Sequence, residues 1–271
     1  MTPKILFTDL DGTLLNQEKQ ISKELHTGLQ TMLHNGHKLV LASGRAFPSI
    51  LKVLDVLDLD TTGIYISAYN GAAIYDCSTK EFIHKEEIAL EDALTIIDLA
   101  LQEKLHIQTY HNNSIITSFP SKELEHYTKN IPLSTVIQHP ISDVLPCDVP
   151  KLVSINLDNK QKLIHFQQTI ANHLAPRIIT IFSNEYYLEI ISSKAGKGKS
   201  LEILSDYLQI DIANTYAVGD AENDLTMLQA SGTGCAMSNA TDLLKSHADH
   251  ILTKSNNEDG VLELLQHFSF L

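Results

Sequence analysis

No tryptophan occurs in this 271-residue chain, so aromatic stacking is not an evident theme for a ligand site. Cysteine is scarce. Cys77, Cys147 and Cys235 are scattered, odd in number and without Cys-x-x-Cys spacing. That argues against a disulfide framework and suits buried or half-buried thiols in a reducing cytoplasm. Positive charge is also scarce: 20 Lys and Arg stand against 33 Asp and Glu, a formal net charge of −13. A basic footprint for nucleic acid or a membrane surface is therefore missing. No run approaches the ~18 apolar residues of a membrane span. The first residues enter a strand without the apolar stretch of a secretion signal. The thirteen histidines are dispersed, with no His-x-x-x-His spacing and no Cys/His cluster, which argues against zinc. The expectation is a cytoplasmic protein that binds neither nucleic acid nor membrane.

What is present is organised. Hydrophobic residues make up 43% of the chain, enough for one large core or two modest ones. The chain opens with Ile5-Leu6-Phe7-Thr8-Asp9-Leu10-Asp11-Gly12-Thr13. Residues i and i+2 of a strand point the same way, so Asp9 and Asp11 can face one site where the strand ends. Paired carboxylates repel unless a cation or a shared proton compensates. Such a pair suits a nucleophile or metal ligand beside a general acid/base. The same residues also make an ordinary strand end with an Asp-Gly turn.

Strand and helix then alternate. Lys4–Thr8, Lys38–Ala42 and Ile64–Ser67 read as strands. A helix carrying Ile21, Leu25, Leu29 and Met32 and a second from about Pro48 to Leu57 lie between them. That rhythm predicts a doubly wound parallel sheet, an α/β fold. It breaks near Phe82. A helix over Glu91–Lys104, hairpins at 106–118 and 178–191, a strand at Leu152–Leu157 and a helix at Gln161–His173 follow, with 119–150 giving no clear pattern. The α/β rhythm resumes with a helix at Ser200–Leu208, a strand at Thr215–Val218 and a helix at Asn223–Gln229. The predicted organisation is a discontinuous core, 1–81 with 190–271, holding an inserted α+β domain, 82–189.

Asp9, Asp11, Ser43 and Asp220 each follow an apolar strand, and ligands of open parallel sheets bind beyond the carboxyl ends of the strands. Asp220 and Asp224 are four residues apart, so a helix starting near Ala221 brings them together. Four carboxylates crowded in this way offer oxygen ligands to a hard cation, with Mg²⁺ the usual partner of phosphates. Gly219-Asp220 also reads as a plain strand-to-helix turn with an Asp N-cap. The Ser43 hydroxyl and the backbone N–H groups of Ser43 and Gly44 suit phosphate oxygens near a helix start, and Ser43 equally suits an N-cap. Arg45 suits either orienting the site or a structural ion pair. Gly198-Lys199-Ser200 matches the end of a P-loop, but that motif needs Gly at position 193, where this chain has Ser.

Taken in order, Asp9-Leu10-Asp11-Gly12-Thr13, Ala42-Ser43-Gly44-Arg45, Lys197-Gly198 and Gly219-Asp220-Ala221-Glu222-Asn223-Asp224 resemble the haloacid dehalogenase (HAD) superfamily of phosphatases. Tyr69-Asn70-Gly71-Ala72 and Asp224-Leu225-Thr226-Met227-Leu228 add to a resemblance to its Cof-like subgroup, which carries a large inserted cap. The resemblance covers the whole chain. It implies a Mg²⁺-dependent phosphatase of small phosphate esters, such as sugar phosphates or cofactor-type esters. Asp9 would be the nucleophile, forming an aspartyl-phosphate, and Asp11 the general acid/base. The Asp9 carboxylate, the Asp11 backbone carbonyl and Asp220 would hold Mg²⁺, with Asp224 supporting. Ser43, Gly44, Lys197 and Asn223 would bind the phosphoryl group, and the inserted domain would be the cap. A phosphomutase using the same aspartyl-phosphate and a non-catalytic phosphate-ligand sensor are the alternatives.

Overall fold

The computed structural model describes residues 2–131 and 133–271. The chain opens with β1 (Ile5–Thr8), α1 (Lys23–His34), β2 (Lys38–Ala42), α2 (Phe47–Leu57), β3 (Ile64–Ala68), β4 (Ala73–Asp76) and β5 (Glu81–Lys85). Next come α3 (Leu90–Gln102), β6 (His106–His111), β7 (Ser114–Thr117), α4 (Lys122–Asn130), β8 (Ser134–Ile137) and β9 (Leu152–Ile155). They are followed by α5 (Lys160–Leu174), β10 (Ile178–Phe182) and β11 (Tyr187–Ser192). The chain closes with α6 (Lys197–Leu208), β12 (Thr215–Gly219), α7 (Leu225–Ala230), β13 (Thr233–Ala236), α8 (Asp242–Ser246), β14 (His250–Ile251) and α9 (Gly260–His267). Met1–His84 with Gly196–Leu271 form one compact unit, and Lys85–Ala195 form the other.

The first unit is an α/β fold around an eight-stranded sheet in the order β14-β13-β12-β1-β2-β3-β4-β5. The strands from β14 to β3 pair in parallel. Ile5, Leu6 and Phe7 are fully buried, so β1 reads as a continuous apolar run rather than an alternating one, as expected of a strand covered on both faces. From β1 the chain winds outward through β2 and β3, then returns to lay β12 on the other side of β1. The strand order therefore reverses between β1 and β12, the place where open α/β sheets bind ligands. Register puts Thr8 beside both Val218 and Leu41, so the residues following β12, β1 and β2 leave the sheet in one row.

The sheet is not parallel throughout. β4 runs antiparallel to β3, and β5 extends the same edge. Short, mixed sequences such as Ala73-Ile74-Tyr75-Asp76 carry too little periodicity to announce this ribbon. The turn into it, Tyr69-Asn70-Gly71, has φ of +55°, +57° and +89°. A Cβ on Gly71 would lie 2.2 Å from the Gly196 carbonyl oxygen, so this glycine permits a backbone approach that seats the start of α6.

The second unit is a six-stranded sheet in the order β10-β11-β9-β6-β7-β8, antiparallel except for β7 with β8. Its apolar side chains, including Ile107, Ile116, Leu152, Leu188 and Ile190, share a core with Ile96 and Ile97 of α3 and Phe166 and Ile170 of α5. By the two-residue period of strands, Gln108, Tyr110, Lys151 and Glu189 belong to the opposite face. The stretch 119–150, opaque in the sequence, contains α4 and β8. α4 is mostly polar, with Leu124 and Tyr127 its buried side chains, and every residue of β8 is exposed. Neither has the apolar stripe on which a sequence reading depends.

Cys77 and Cys235 are buried as expected, but Cys147 is exposed. Its Sγ lies 3.4 Å from His111 Nδ1. Among the described residues, no helix is long and apolar enough to cross a membrane.

Candidate active site

The site gathers at the ends of β1, β2 and β12. Asp9 leaves β1 with its N–H still bound to the Val218 carbonyl at 3.0 Å, so the nucleophile candidate is held by the sheet itself. It is 6% exposed. Gly12 turns the chain at φ +85°, and a Cβ there would meet Asp220 Oδ2 at 2.3 Å. Only glycine lets the opening motif close down on the β12 loop. Thr13 Oγ1 donates to Asp220 Oδ1 at 3.1 Å, and Asn239 Nδ2 donates to the Gly12 carbonyl at 2.8 Å.

Lys197, the first residue of α6, is 1% exposed. Its Nζ donates to Asp9 Oδ1 and to Asp224 Oδ1, each at 2.6 Å. The helix start is pinned from below: Ser200 Oγ donates to the Lys197 carbonyl at 2.8 Å and Ser67 Oγ to Ser200 Oγ at 2.7 Å. Lys194 and Lys199 are both exposed, and Lys199 pairs with Glu202 instead. A Cβ on Gly198 would lie 2.4 Å from the Thr226 carbonyl oxygen. The P-loop-like Gly198-Lys199-Ser200 therefore serves close packing of α6 on α7.

Asp220 and Asp224 do meet, but not on the α-helix expected from Ala221. A 3₁₀ turn over Glu222–Asp224 precedes α7. It folds the fully buried Asp224 back, so that Oδ2 accepts from the N–H groups of Asp220 at 3.0 Å and Ala221 at 3.1 Å. Asp224 thus braces the turn with one oxygen and Lys197 with the other. Asn223 sits half-buried in the same turn, and its side chain makes no hydrogen bond among the described residues.

Ser43 differs from expectation. It is buried at 3%, but α2 begins only at Phe47 with Ala46 at its cap, so Ser43 is not the N-cap. Its N–H donates to the Ser67 carbonyl at 2.9 Å and is spent on the sheet. Its Oγ accepts from the Arg45 N–H at 3.2 Å. The Ser43 hydroxyl proton, rather than its backbone N–H, is what this residue can offer an oxyanion. Gly44 follows within the same loop, outside the first turn of α2, where the helix dipole has little reach.

Asp9, Asp220 and Asp224 each bring an oxygen to within 4.8 Å of one another. The Asp11 carboxylate is not part of that group. It accepts from Arg45 Nε at 2.7 Å on Oδ2 and from an Arg45 terminal nitrogen at 2.6 Å on Oδ1, with Lys19 Nζ also at 2.6 Å on Oδ1. Both of its oxygens are engaged by these cationic donors.

The two aspartates are consequently in opposite electrostatic states. Burial pushes Asp9 up to about 8, with Asp224 and Asp220 adding to the rise and Lys197 opposing it. Burial, then the Asp224 charge, pushes Asp220 up to about 6. Burial would also raise Asp11, but the hydrogen bonds and charge of Arg45, then Lys19, hold it below the ordinary carboxylate range. Burial disfavours a charged Lys197, yet Asp224 and Asp9 outweigh it and raise its pKa. Three carboxylates face one ammonium. The excess negative charge and the all-oxygen donor set fit a hard divalent cation.

Two residues here escaped sequence reading. Thr13 closes the opening motif, and nothing in its spacing announces its bond to Asp220. Lys19 lies in a polar loop without periodicity. It comes to the site because Asn16 N–H donates to the Gln20 carbonyl, Asn256 Nδ2 to the Leu15 carbonyl, and Gln17 N–H to Asn257 Oδ1.

Known proteins resemble this chain over nearly its whole length. The family described as haloacid dehalogenase-like hydrolase matches residues 6–265. YxeH of Bacillus subtilis (strain 168) is 31% identical over 264 residues, covering 95% of each chain. The 5-amino-6-(5-phospho-D-ribitylamino)uracil phosphatase YwtE of the same organism is 28% identical over 282 residues, again covering 95% of each. A solved haloacid dehalogenase-like hydrolase from Bacteroides thetaiotaomicron superposes with a TM-score of 0.89 at 29% identity, covering 98% of this chain and 100% of that one. The chain belongs to the haloacid dehalogenase-like hydrolase family. Its enzyme class is that of the phosphoric monoester hydrolases.

Proposed function

We propose that this phosphatase hydrolyses small phosphate esters with Mg²⁺ through a phosphoryl group carried on Asp9. The observation that carries the reading is the joint of Asp9, Asp220, Asp224 and Lys197 at the reversal of strand order. Asp9 and Asp220, with the Asp11 backbone carbonyl, would hold the metal, while Asp224 braces the loop. Bound Mg²⁺ would neutralise the carboxylate cluster and the incoming phosphate, supplying electrostatic stabilisation of the transferring group.

The chain's own residues account for the remaining steps. Asp9, ionised and directed by Lys197, attacks phosphorus. Asp11 takes up the proton carried by the phosphate monoester monoanion, passes it to the departing alkoxide and later takes one from the attacking water. Lys197, the Ser43 hydroxyl, Gly44 and Asn223 hold phosphoryl oxygens. The inserted unit Lys85–Ala195 carries none of these groups, and its proposed role is that of the cap that selects among esters. The phosphoribityl group named for YwtE supports trying sugar-type phosphates first.

The test is release of inorganic phosphate from a panel of sugar and cofactor-type phosphate esters, with and without chelator. Turnover that stops on chelation and returns with Mg²⁺ supports the reading. Full activity in metal-free buffer overturns the metal assignment. Transfer of phosphate between positions of one substrate without release would identify a mutase, and binding without either reaction a sensor.

A further inference from the structure

Arg45 approaches Asp11 as a fork. Its Nε meets Oδ2 at 2.7 Å and a terminal nitrogen meets Oδ1 at 2.6 Å, so two parallel bonds fix the plane of the carboxylate as well as its position. Lys19 Nζ adds a third bond to Oδ1 at 2.6 Å. Asp11 is 40% exposed at its side chain, Arg45 21% and Lys19 57%. An aspartate this accessible would otherwise sample several rotamers, whereas a general acid must meet one oxygen of its substrate.

Both cations are themselves held. The Arg45 carbonyl accepts from the Tyr69 N–H at 3.1 Å, and the Arg45 N–H donates to Ser43 Oγ. Lys19 sits at φ +59° in a turn closed on Asn16, where its N–H donates to the Asn16 carbonyl at 3.0 Å. That turn is tied to the C-terminal segment through Asn256 and Asn257 at 2.8 and 3.0 Å. The clamp is thus assembled from three separate stretches of chain around one carboxylate.

We propose that Arg45 and Lys19 are positioning residues for Asp11, with Arg45 setting the plane of the carboxylate and Lys19 steadying it. This rests on the reading of Asp11 as the acid/base. Neither cation needs to touch substrate: each acts through Asp11, fixing its orientation while favouring its ionised form. Arg45 therefore governs the protonation of the leaving group rather than the binding of the phosphoryl group. A lysine in its place can charge-match the aspartate but cannot supply the fork.

The test compares β-glycerophosphate, an alkyl ester with a poor leaving group, with p-nitrophenyl phosphate, whose leaving group needs no proton. Arg45→Met should lower kcat on the alkyl ester by roughly 10–100-fold, a share of the effect of a general acid. On the aryl ester it should change kcat by less than about threefold, and KM should stay within about threefold for both. Arg45→Lys should recover part of the alkyl-ester rate. Lys19→Met, on a side chain that is 57% exposed, should show the same selectivity at smaller size. In an Asp11→Asn background, Arg45→Met should produce no further loss. Equal loss on both esters, a raised KM with unchanged kcat, or additive loss in the Asp11→Asn background would overturn the proposal. If Asp11→Asn itself shows no dependence on leaving group, the acid/base reading fails and the clamp falls with it. If Asp11→Asn is selective and Arg45→Met is not, the clamp alone is wrong.

Discussion

Each unit of the molecule buries one lysine almost completely, and the two lysines are used differently. In the inserted unit Lys151 is 1% exposed and meets Glu189, itself 6% exposed, at 2.7 Å over the face of Tyr110. That pair matches one cation to one carboxylate. In the core, Lys197 is equally buried but lies between Asp9 and Asp224, with Asp220 beside them. A one-to-one pair carries no net charge. An unbalanced cluster at the edge of a sheet is left with charge that a cation and a phosphate can complete. Burial of a lysine is thus no sign of chemistry by itself. What marks the core site is the excess of carboxylates around it.

The proposed chemistry can be broken most directly at Asp11, the proposed acid/base. Asp11→Asn keeps the shape and the backbone carbonyl, so metal binding should survive. Turnover of alkyl phosphates should fall ~10²–10⁴-fold, and that of an aryl phosphate much less. Equal losses in steady-state rates on the two esters would contradict the role. Lys197→Met should cost roughly 10²–10³-fold in kcat, as expected for removal of one preorganised donor to the transferring group. Lys151→Met should leave the leaving-group dependence unchanged. It should instead lower the unfolding free energy by ~3–5 kcal/mol, because the buried Glu189 loses its lysine. A shift in the urea midpoint checks this. If Lys151→Met abolishes turnover while the fold remains intact, the two lysines are not as different as their surroundings say.

A subtler effect concerns pH. Asp9 is pushed up to about 8 and Asp220 to about 6, against an ordinary value of 3.8. In metal-free protein the native state therefore binds more protons than the unfolded chain between about pH 4 and pH 8. Stability should fall as pH rises through that window. Mg²⁺ should raise the melting temperature more at pH 8 than at pH 5, by a few degrees if the linkage is worth about 1 kcal/mol. A Mg²⁺ increment that is equal at both values would separate the metal from these carboxylates.

The core was largely legible because its chemistry is written as apolar strands followed at once by short polar motifs. Lys38–Ala42 coincides with β2, and the hairpins expected at 106–118 and 178–191 form over 106–117 and 178–192, antiparallel as their spacing indicated. The acidic residues after β1 and β12 meet because register, not sequence distance, decides which strand ends share a row. Illegible features depended on partners far along the chain. Ser43 spends its N–H on Ser67, and Lys19 is aimed by Asn256 and Asn257. The Glu222–Asp224 turn is tighter than an α-helix because Asp224 accepts two backbone N–H groups at once. In the inserted unit, α4 and β8 lack an apolar stripe, and no short motif marks the Lys151–Glu189 pair.

The central claim is that Asp9 carries the phosphoryl group. Rapid acid quench of the Mg²⁺-loaded enzyme with ³²P-labelled ester, followed by peptide mapping, measures it. The account predicts acid-stable label on the Asp9 peptide in the wild-type protein and none in Asp9→Asn. Label that persists in Asp9→Asn, or that maps to another residue, would contradict it.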